Sequence, residues 1–84
     1  MNYTVTWAPD AEEELVRIWI SSGSRNAVKK AADEIDKLLR RNPEAKGELF
    51  GNKWSLHVRP LLVVYEIIPD DCLVQIVQVI PETN

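Results

Sequence analysis

The sequence predicts an α+β domain in the order β-αα-βββ, with a helical hairpin packed on a mainly antiparallel four-stranded sheet. Three observations predict it. Apolar residues alternate with threonine near the start, two consecutive stretches then repeat apolar residues with helical period, and the last third holds three β-prone apolar segments separated by turn residues. A chain of 84 residues has room for one core, so residues 1–84 are expected to form one domain in which every element shares it.

Tyr3, Val5 and Trp7 alternate with Thr4 and Thr6, which predicts a strand over Asn2–Trp7 with one buried face. Pro9 ends it and suits the first position of a helix, where a missing N–H costs nothing. Asp10 and Glu12–Glu14 complement the positive helix N-terminus. Ala11, Leu15, Ile18 and Trp19 form its apolar stripe, and Gly23 is expected to close it as a left-handed cap. A second helix is predicted from about Ser24 to Arg41, with Val28, Ala31, Ala32, Ile35, Leu38 and Leu39 on one face. Asp33–Lys37 and Asp36–Arg40 are spaced for i,i+4 ion pairs on the other. Asn42-Pro43 ends this helix, because the residue before proline is pushed out of helical geometry. Glu44–Asn52 is polar, contains Gly47 and Gly51, and reads as a connecting loop.

Trp54, Leu56 and Val58 alternate with Ser55, His57 and Arg59, predicting a strand with an apolar and a polar face. Leu61–Ile68 is apolar at seven of eight positions, Pro69-Asp70-Asp71 supplies a turn, and Cys72–Ile80 is apolar at seven of nine. A sheet covered by helices on one side needs apolar residues only at alternate positions. The surplus predicts cover for the second face, either by the domain's own loops or by a second copy of the chain or a bound partner segment.

Composition excludes several functions. One cysteine cannot close an intrachain disulfide, and one histidine with one cysteine falls short of the four ligands of a structural zinc site. No metal or other cofactor is expected. The longest purely apolar run, Leu61–Tyr65, is far too short to cross a bilayer, and acidic residues stand where a secretion signal would be basic and then apolar. A cytoplasmic protein without a membrane association is the expectation. Asn2-Tyr3-Thr4 matches a glycosylation acceptor but lacks that signal. Glu12–Glu14 point about 100° apart on a helix and read as a solvated first turn. Trp7, Trp19 and Trp54 each fall on a face predicted to be buried.

The net charge of −3 argues against a surface built throughout for nucleic acid, but the charge is segregated. Ser24–Pro60 carries nine basic residues against five acidic ones; the rest of the chain carries Arg17 against eight. Arg40, Arg41 and Lys46, together with Lys53, His57 and Arg59, are candidates to meet a phosphate-bearing target. His57 and Arg59 are two apart and so share a strand face. A histidine beside a permanent cation suits acid-base cleavage of RNA, with Arg59 and Lys53 stabilising the charge that develops on phosphorus. The alternative is a solvated helix face and an ordinary polar strand face.

Taken together, several segments resemble the RelE/ParE superfamily of toxins from bacterial type II toxin–antitoxin modules, often labelled plasmid stabilisation proteins. They are Tyr3-Thr-Val-Thr-Trp-Ala-Pro9, Ala11 with Glu14-Leu15 and Ile18-Trp19, Ile35-Asp36-Lys-Leu-Leu-Arg-Arg-Asn-Pro43, Gly47-Glu48, and Pro60-Leu-Leu-Val-Val-Tyr65-Glu-Ile before a Pro-Asp-Asp turn. The resemblance implies two helices on a mainly antiparallel sheet and a cognate antitoxin that wraps the toxin and covers its surplus apolar surface. It also implies a target, either the ribosome with mRNA cleavage or DNA gyrase. The mRNA-cleaving branch uses basic residues on the strand after the loop, an arginine early in the next strand, and an arginine with a tyrosine or histidine near the C-terminus. This chain offers Ser55 and His57, then Leu62, then Pro81-Glu82-Thr83-Asn84. The resemblance therefore implies either a toxin or a non-catalytic, non-toxic relative that acts as a protein-binding module.

Overall fold

A computed structural model describes residues 2–82; Thr83 and Asn84 of the tail lie outside the described residues. Strand β1 (Thr4–Trp7) leads into helices α1 (Pro9–Ser21) and α2 (Arg25–Leu39) and a single turn, α3 (Pro43–Lys46). Strands β2 (Glu48–Phe50), β3 (Lys53–Val58), β4 (Leu61–Ile68) and β5 (Leu73–Pro81) follow, with a 3₁₀ turn at Pro69–Asp71. The sheet runs β1-β5-β4-β3-β2. Only the β1–β5 pair is parallel, as its first and last strands meet across the helical hairpin.

The sheet has five strands rather than the four expected. The fifth, β2, lies in the segment read as a loop, which also contains α3. Glu48-Leu49-Phe50 is too short to show a period, and all three residues are exposed, so no burial pattern marked them. They pair with Ser55, Trp54 and Lys53 through a two-residue turn in which Gly51 adopts φ 64°, a conformation that favours glycine. The α1–α2 junction also differs from expectation: the cap of α1 is an extended Ser22. Asn42 is the left-handed residue that breaks the chain after α2, with φ 47°, and Pro43 opens α3.

The core lies between the helices and one face of the sheet. Ala11 and Ile18 of α1, Val28, Ala31, Ile35 and Leu39 of α2, and Leu56, Leu61, Val63, Tyr65, Val74, Ile76 and Val79 of the sheet form its buried cluster. Trp7 and Trp54 pack at its margin as expected, but Trp19 does not. It is 41% exposed, and its ring lies under the Arg25 guanidinium, 4.8 Å from the centroid. On the opposite sheet face, among the described residues, only Val64 is well buried, between Ser55 and Gln78 on the adjacent strands; Leu62, Ile68 and Leu73 stay half-buried and Ile80 exposed.

Tyr65 ties α3 to the sheet. It is fully buried at the centre of β4, and its hydroxyl donates to the Pro43 carbonyl at 2.8 Å. Gly47 makes the approach possible, since a Cβ there would stand 2.4 Å from both the Ser55 carbonyl oxygen and the Tyr65 hydroxyl. Burial, and secondarily the Glu44 carboxylate, push the Tyr65 phenol up from 10.0 to about 12, against a backbone hydrogen bond from Gly47.

Tyr65→Phe should cost about 1–2 kcal/mol in urea unfolding, because it leaves a buried carbonyl without its donor. Unfolded Tyr65 ionises near pH 10 and the folded form near 12, so its contribution is intact below 10 and is lost as pH rises to 12. Wild-type stability should therefore fall across that window by up to roughly 1.4 kcal/mol per pH unit more than that of the phenylalanine variant. Parallel slopes would refute the assignment. Gly47→Ala should destabilise by about 1–3 kcal/mol, because the contacting Ser55 atom is strand backbone and cannot swing away.

Candidate functional site

The six basic residues singled out from the sequence fall into separate groups. His57 lies on the exposed side of β3 opposite Leu62, away from the Trp54/Leu56/Val58 stripe that faces the core. Arg59 is in the two-residue turn between β3 and β4 rather than on the strand, and its peptide bond to Pro60 is cis. The two still converge, because Glu82 comes between them. The antiparallel register pairs Leu61 with Pro81, the Glu82 amide donates to the Pro60 carbonyl at 2.8 Å, and the side chain then folds over the turn. One carboxylate oxygen, Oε2, accepts from Nδ1 of His57. The other, Oε1, lies 3.9 Å from Nε of Arg59, is buried, and has no hydrogen-bond partner among the described residues. A carboxylate accepts only, so the shared proton places N–H at Nδ1 of the imidazole.

Lys53 stands at the far end of β3, about 15 Å along the strand from the β3–β4 turn, and pairs with Glu66 of β4 at 3.4 Å. It does not join His57 and Arg59.

Arg40, Arg41 and Lys46 gather where α2 ends. Tyr3 donates its amide to the Arg40 carbonyl, and Asn2 bridges to Arg41, so this group flanks the start of β1. Thr4 is in register with Leu73, and Leu73 with Ile68, whereas Arg59 adjoins the Leu61 end of β4. Eight residues of β4 separate the two ends by roughly 20–25 Å. The basic residues thus do not form one phosphate-binding surface. Arg40 is also paired with Asp36 at 2.6 Å. Lys46 donates to the carbonyl of Arg41, just past the α2 cap, at 2.9 Å and to that of Leu38 in the last turn of α2 at 3.4 Å.

A wide cleft of about 670 Å³ between β1 and the two long helices is lined by Glu12, Asp33 and Asp36 with Lys37 and Arg40, a mixed lining without a basic floor. Among the described residues no cluster of His, Cys, Asp and Glu could hold a metal ion. Among them, too, no helix is long and apolar enough to cross a membrane.

The apolar surface is more distinctive. Val16 and Ile20 of α1 are 50% and 57% exposed beside Trp19, and Leu49 and Phe50 of β2 are 67% and 66% exposed on the open edge of the sheet. An apolar groove runs between α1 and α2 under Leu15, Val16, Trp19, Val28 and Ala32. Sequence reasoning missed the β2 pair because the segment read as a loop, and missed Glu82 because only the strand register brings it to the turn.

A family model described as ParE toxin of type II toxin-antitoxin system, parDE, matches residues 5–83. The chain belongs to the ParE toxin family. Solved structures have the same fold. The toxin–antitoxin complex RelBE2 from Mycobacterium tuberculosis is similar at a TM-score of 0.80 and 21% identity, over 98% of this chain and 100% of that one. The chromosomal ParDE system from P. aeruginosa follows at 0.72 and 14%, over 96% and 97%. The archaeal RelE-RelB complex from Pyrococcus horikoshii stands at 0.67 and 16%, over 100% and 99%. Among curated proteins no match is found. The likeness to solved structures speaks for the RelE/ParE fold, and the family match over residues 5–83 makes this ParE-family chain a relative of type II toxins.

If Lys46 serves this ParE-family fold as a cap on α2, Lys46→Met should lower stability by about 0.5–1 kcal/mol, because the aliphatic stem remains and the donor is lost. Thermal melts of the two proteins check it; an unchanged midpoint would return Lys46 to the pool of residues free to meet a target.

Proposed function

We propose that the protein is the toxin of a type II toxin–antitoxin pair, held inactive by a cognate antitoxin, and that its target is DNA gyrase rather than mRNA on the ribosome. The family match over residues 5–83 supports the first part. Antitoxin binding is supported by the exposed apolar residues of α1 and β2, which together offer a helix groove and an unpaired strand edge, the two surfaces on which extended or helical segments dock.

The choice of target rests on one observation: the cations a nuclease would use are engaged elsewhere in the fold. Phosphoryl transfer needs an acid-base group and positive charge aimed together at one phosphate. Here His57 and Arg59 face the Glu82 carboxylate, and Lys53 is at the other end of β3 on Glu66. A net charge of −3 also disfavours the polyanionic ribosome as a docking surface. A protein target requires no such constellation.

Induced alone, the chain should arrest growth, and co-expression with the antitoxin encoded by a neighbouring reading frame should restore it. Purified protein should inhibit gyrase supercoiling and accumulate cleaved DNA, while mRNA 5′ ends on ribosomes stay unchanged. His57→Ala and Arg59→Ala should remain toxic. New 5′ ends that disappear in those two variants would place the target on the ribosome, and normal growth on induction alone would make the protein a non-toxic binding module.

A further inference from the structure

Three side chains, His57, Arg59 and Glu82, converge at the β3–β4 turn. His57 and Arg59 present N–H donors from a strand end and a tight turn, so their backbones are fixed by the sheet. Both side chains are mostly exposed, at 58% and 79%, so an anion could reach them from solvent. The anion now present is internal. Glu82 is the less exposed member of the three, at 26%, and its side chain lies inward of both cations.

The internal carboxylate fits this place only in part. Its Oε2 is bound by His57, but its Oε1 is buried, accepts no hydrogen bond from the described residues, and lies 3.9 Å from Nε of Arg59. A planar carboxylate tethered to β5 thus hydrogen-bonds one donor and only approaches the other, with Arg59 left open to solvent. A tetrahedral phosphate carries more acceptor oxygens on a wider spread. It can take the imidazole N–H on one oxygen and the guanidinium fork on others, the arrangement in which arginine binds oxyanions best. No covalent step is involved.

We propose that His57 and Arg59 form a phosphate-binding pair, and that Glu82 is a built-in competing anion that masks it. The ligand class is a phosphate group, free or esterified in a nucleic-acid backbone. A tethered competitor acts at an effective concentration far above that of dissolved ligand, so the masked pair binds external phosphate weakly. The inference stands on this geometry and holds whichever target the toxin has.

The experiment follows the His57 ring resonances by NMR as inorganic phosphate is titrated into the wild-type chain, Glu82→Ala and Glu82→Gln at constant ionic strength. The unmasked variants should show saturable shifts with an affinity at least roughly tenfold above wild type. His57→Ala and Arg59→Ala in the Glu82→Ala background, followed through the backbone amides of the turn, should lose that gain. A second arm with a short phosphodiester oligonucleotide separates the sources: saturation there as well extends the site to nucleic acid, and saturation with inorganic phosphate alone confines it to free phosphate. Equal affinity in wild type and both variants would show that Glu82 masks nothing, and no saturation in either folded variant would show that the pair is no phosphate site. Glu82→Gln retains the side-chain bulk as well as the backbone hydrogen bond donated to the Pro60 carbonyl, so it keeps the test open should the alanine variant lose the turn.

Discussion

The register of β5 is the constraint on which the rest of this structure depends. This strand pairs in parallel with β1 on one side and antiparallel with β4 on the other, and α1 packs across it. The β4 pairing is a local hairpin closed by Pro69–Asp71, but the β1 pairing is non-local. The β1 partner is separated from β5 by the whole helical hairpin and three intervening strands, so neither the sheet's first edge nor the buried face of α1 is complete until the last strand docks. Its inward residues Val74, Ile76 and Val79 are at most 2% exposed. A slip by one residue would turn them outward and bring Gln75 and Gln78 under α1. The irregularity between Val64 and Tyr65 lets the strand absorb one extra residue, so that Ile76 and Val79 both face the core although three positions apart.

That same register decides what happens at the far end of the sheet. Because Pro81 is opposite Leu61, the next residue has to lie beside the β3–β4 turn, and that residue is Glu82. The acidic group therefore meets His57 and Arg59 through strand pairing, not through sequence proximity. Charge that looks segregated along the chain is in this way partly neutralised in space. Arg40 with Asp36, Lys53 with Glu66, and Arg59 with Glu82 each join a cation from the basic middle segment to a carboxylate, two of them from the acidic C-terminal third. Exposed pairs of this kind contribute little stability, of order 0–1 kcal/mol. Their larger consequence is for recognition, since a paired cation must give up its partner before it can meet a phosphate.

Sequence periodicity was a reliable guide wherever one face of an element is buried. The alternation of Tyr3/Val5/Trp7 and of Trp54/Leu56/Val58, and the stripes of α1 and α2, all put those residues into or against the core, with the exception of Trp19. Trp19 sits near the end of α1 and stays 41% exposed, and its stacking with Arg25 across the hairpin turn has no periodic signature. Strand β2 was invisible for a complementary reason: it has no buried face, and only its hydrogen bonds to β3 make it a strand. The apolar surplus of β4 and β5 exceeds what one covered face needs. Its outer side is left half-open by the described residues.

The candidate site was legible in composition but not in arrangement. His57 and Arg59 were visible as an imidazole and a guanidinium two residues apart, and the fold does bring them together, though by way of a turn rather than a shared strand face. Lys46 shows how the same residue type can answer a different need. As an exposed lysine after a helix it reads as a contact for an external anion, yet the end of any helix presents open carbonyls, and α3 holds Lys46 within reach of that of Leu38 and of the Arg41 carbonyl just beyond the cap. A cation next to a helix C-terminus therefore has an internal claim on it that must be weighed before an external one. In this chain that claim, with the three carboxylate pairings, gives five of the six basic residues an internal partner and leaves Arg41 alone of them, among the described residues, without a partner for its side chain.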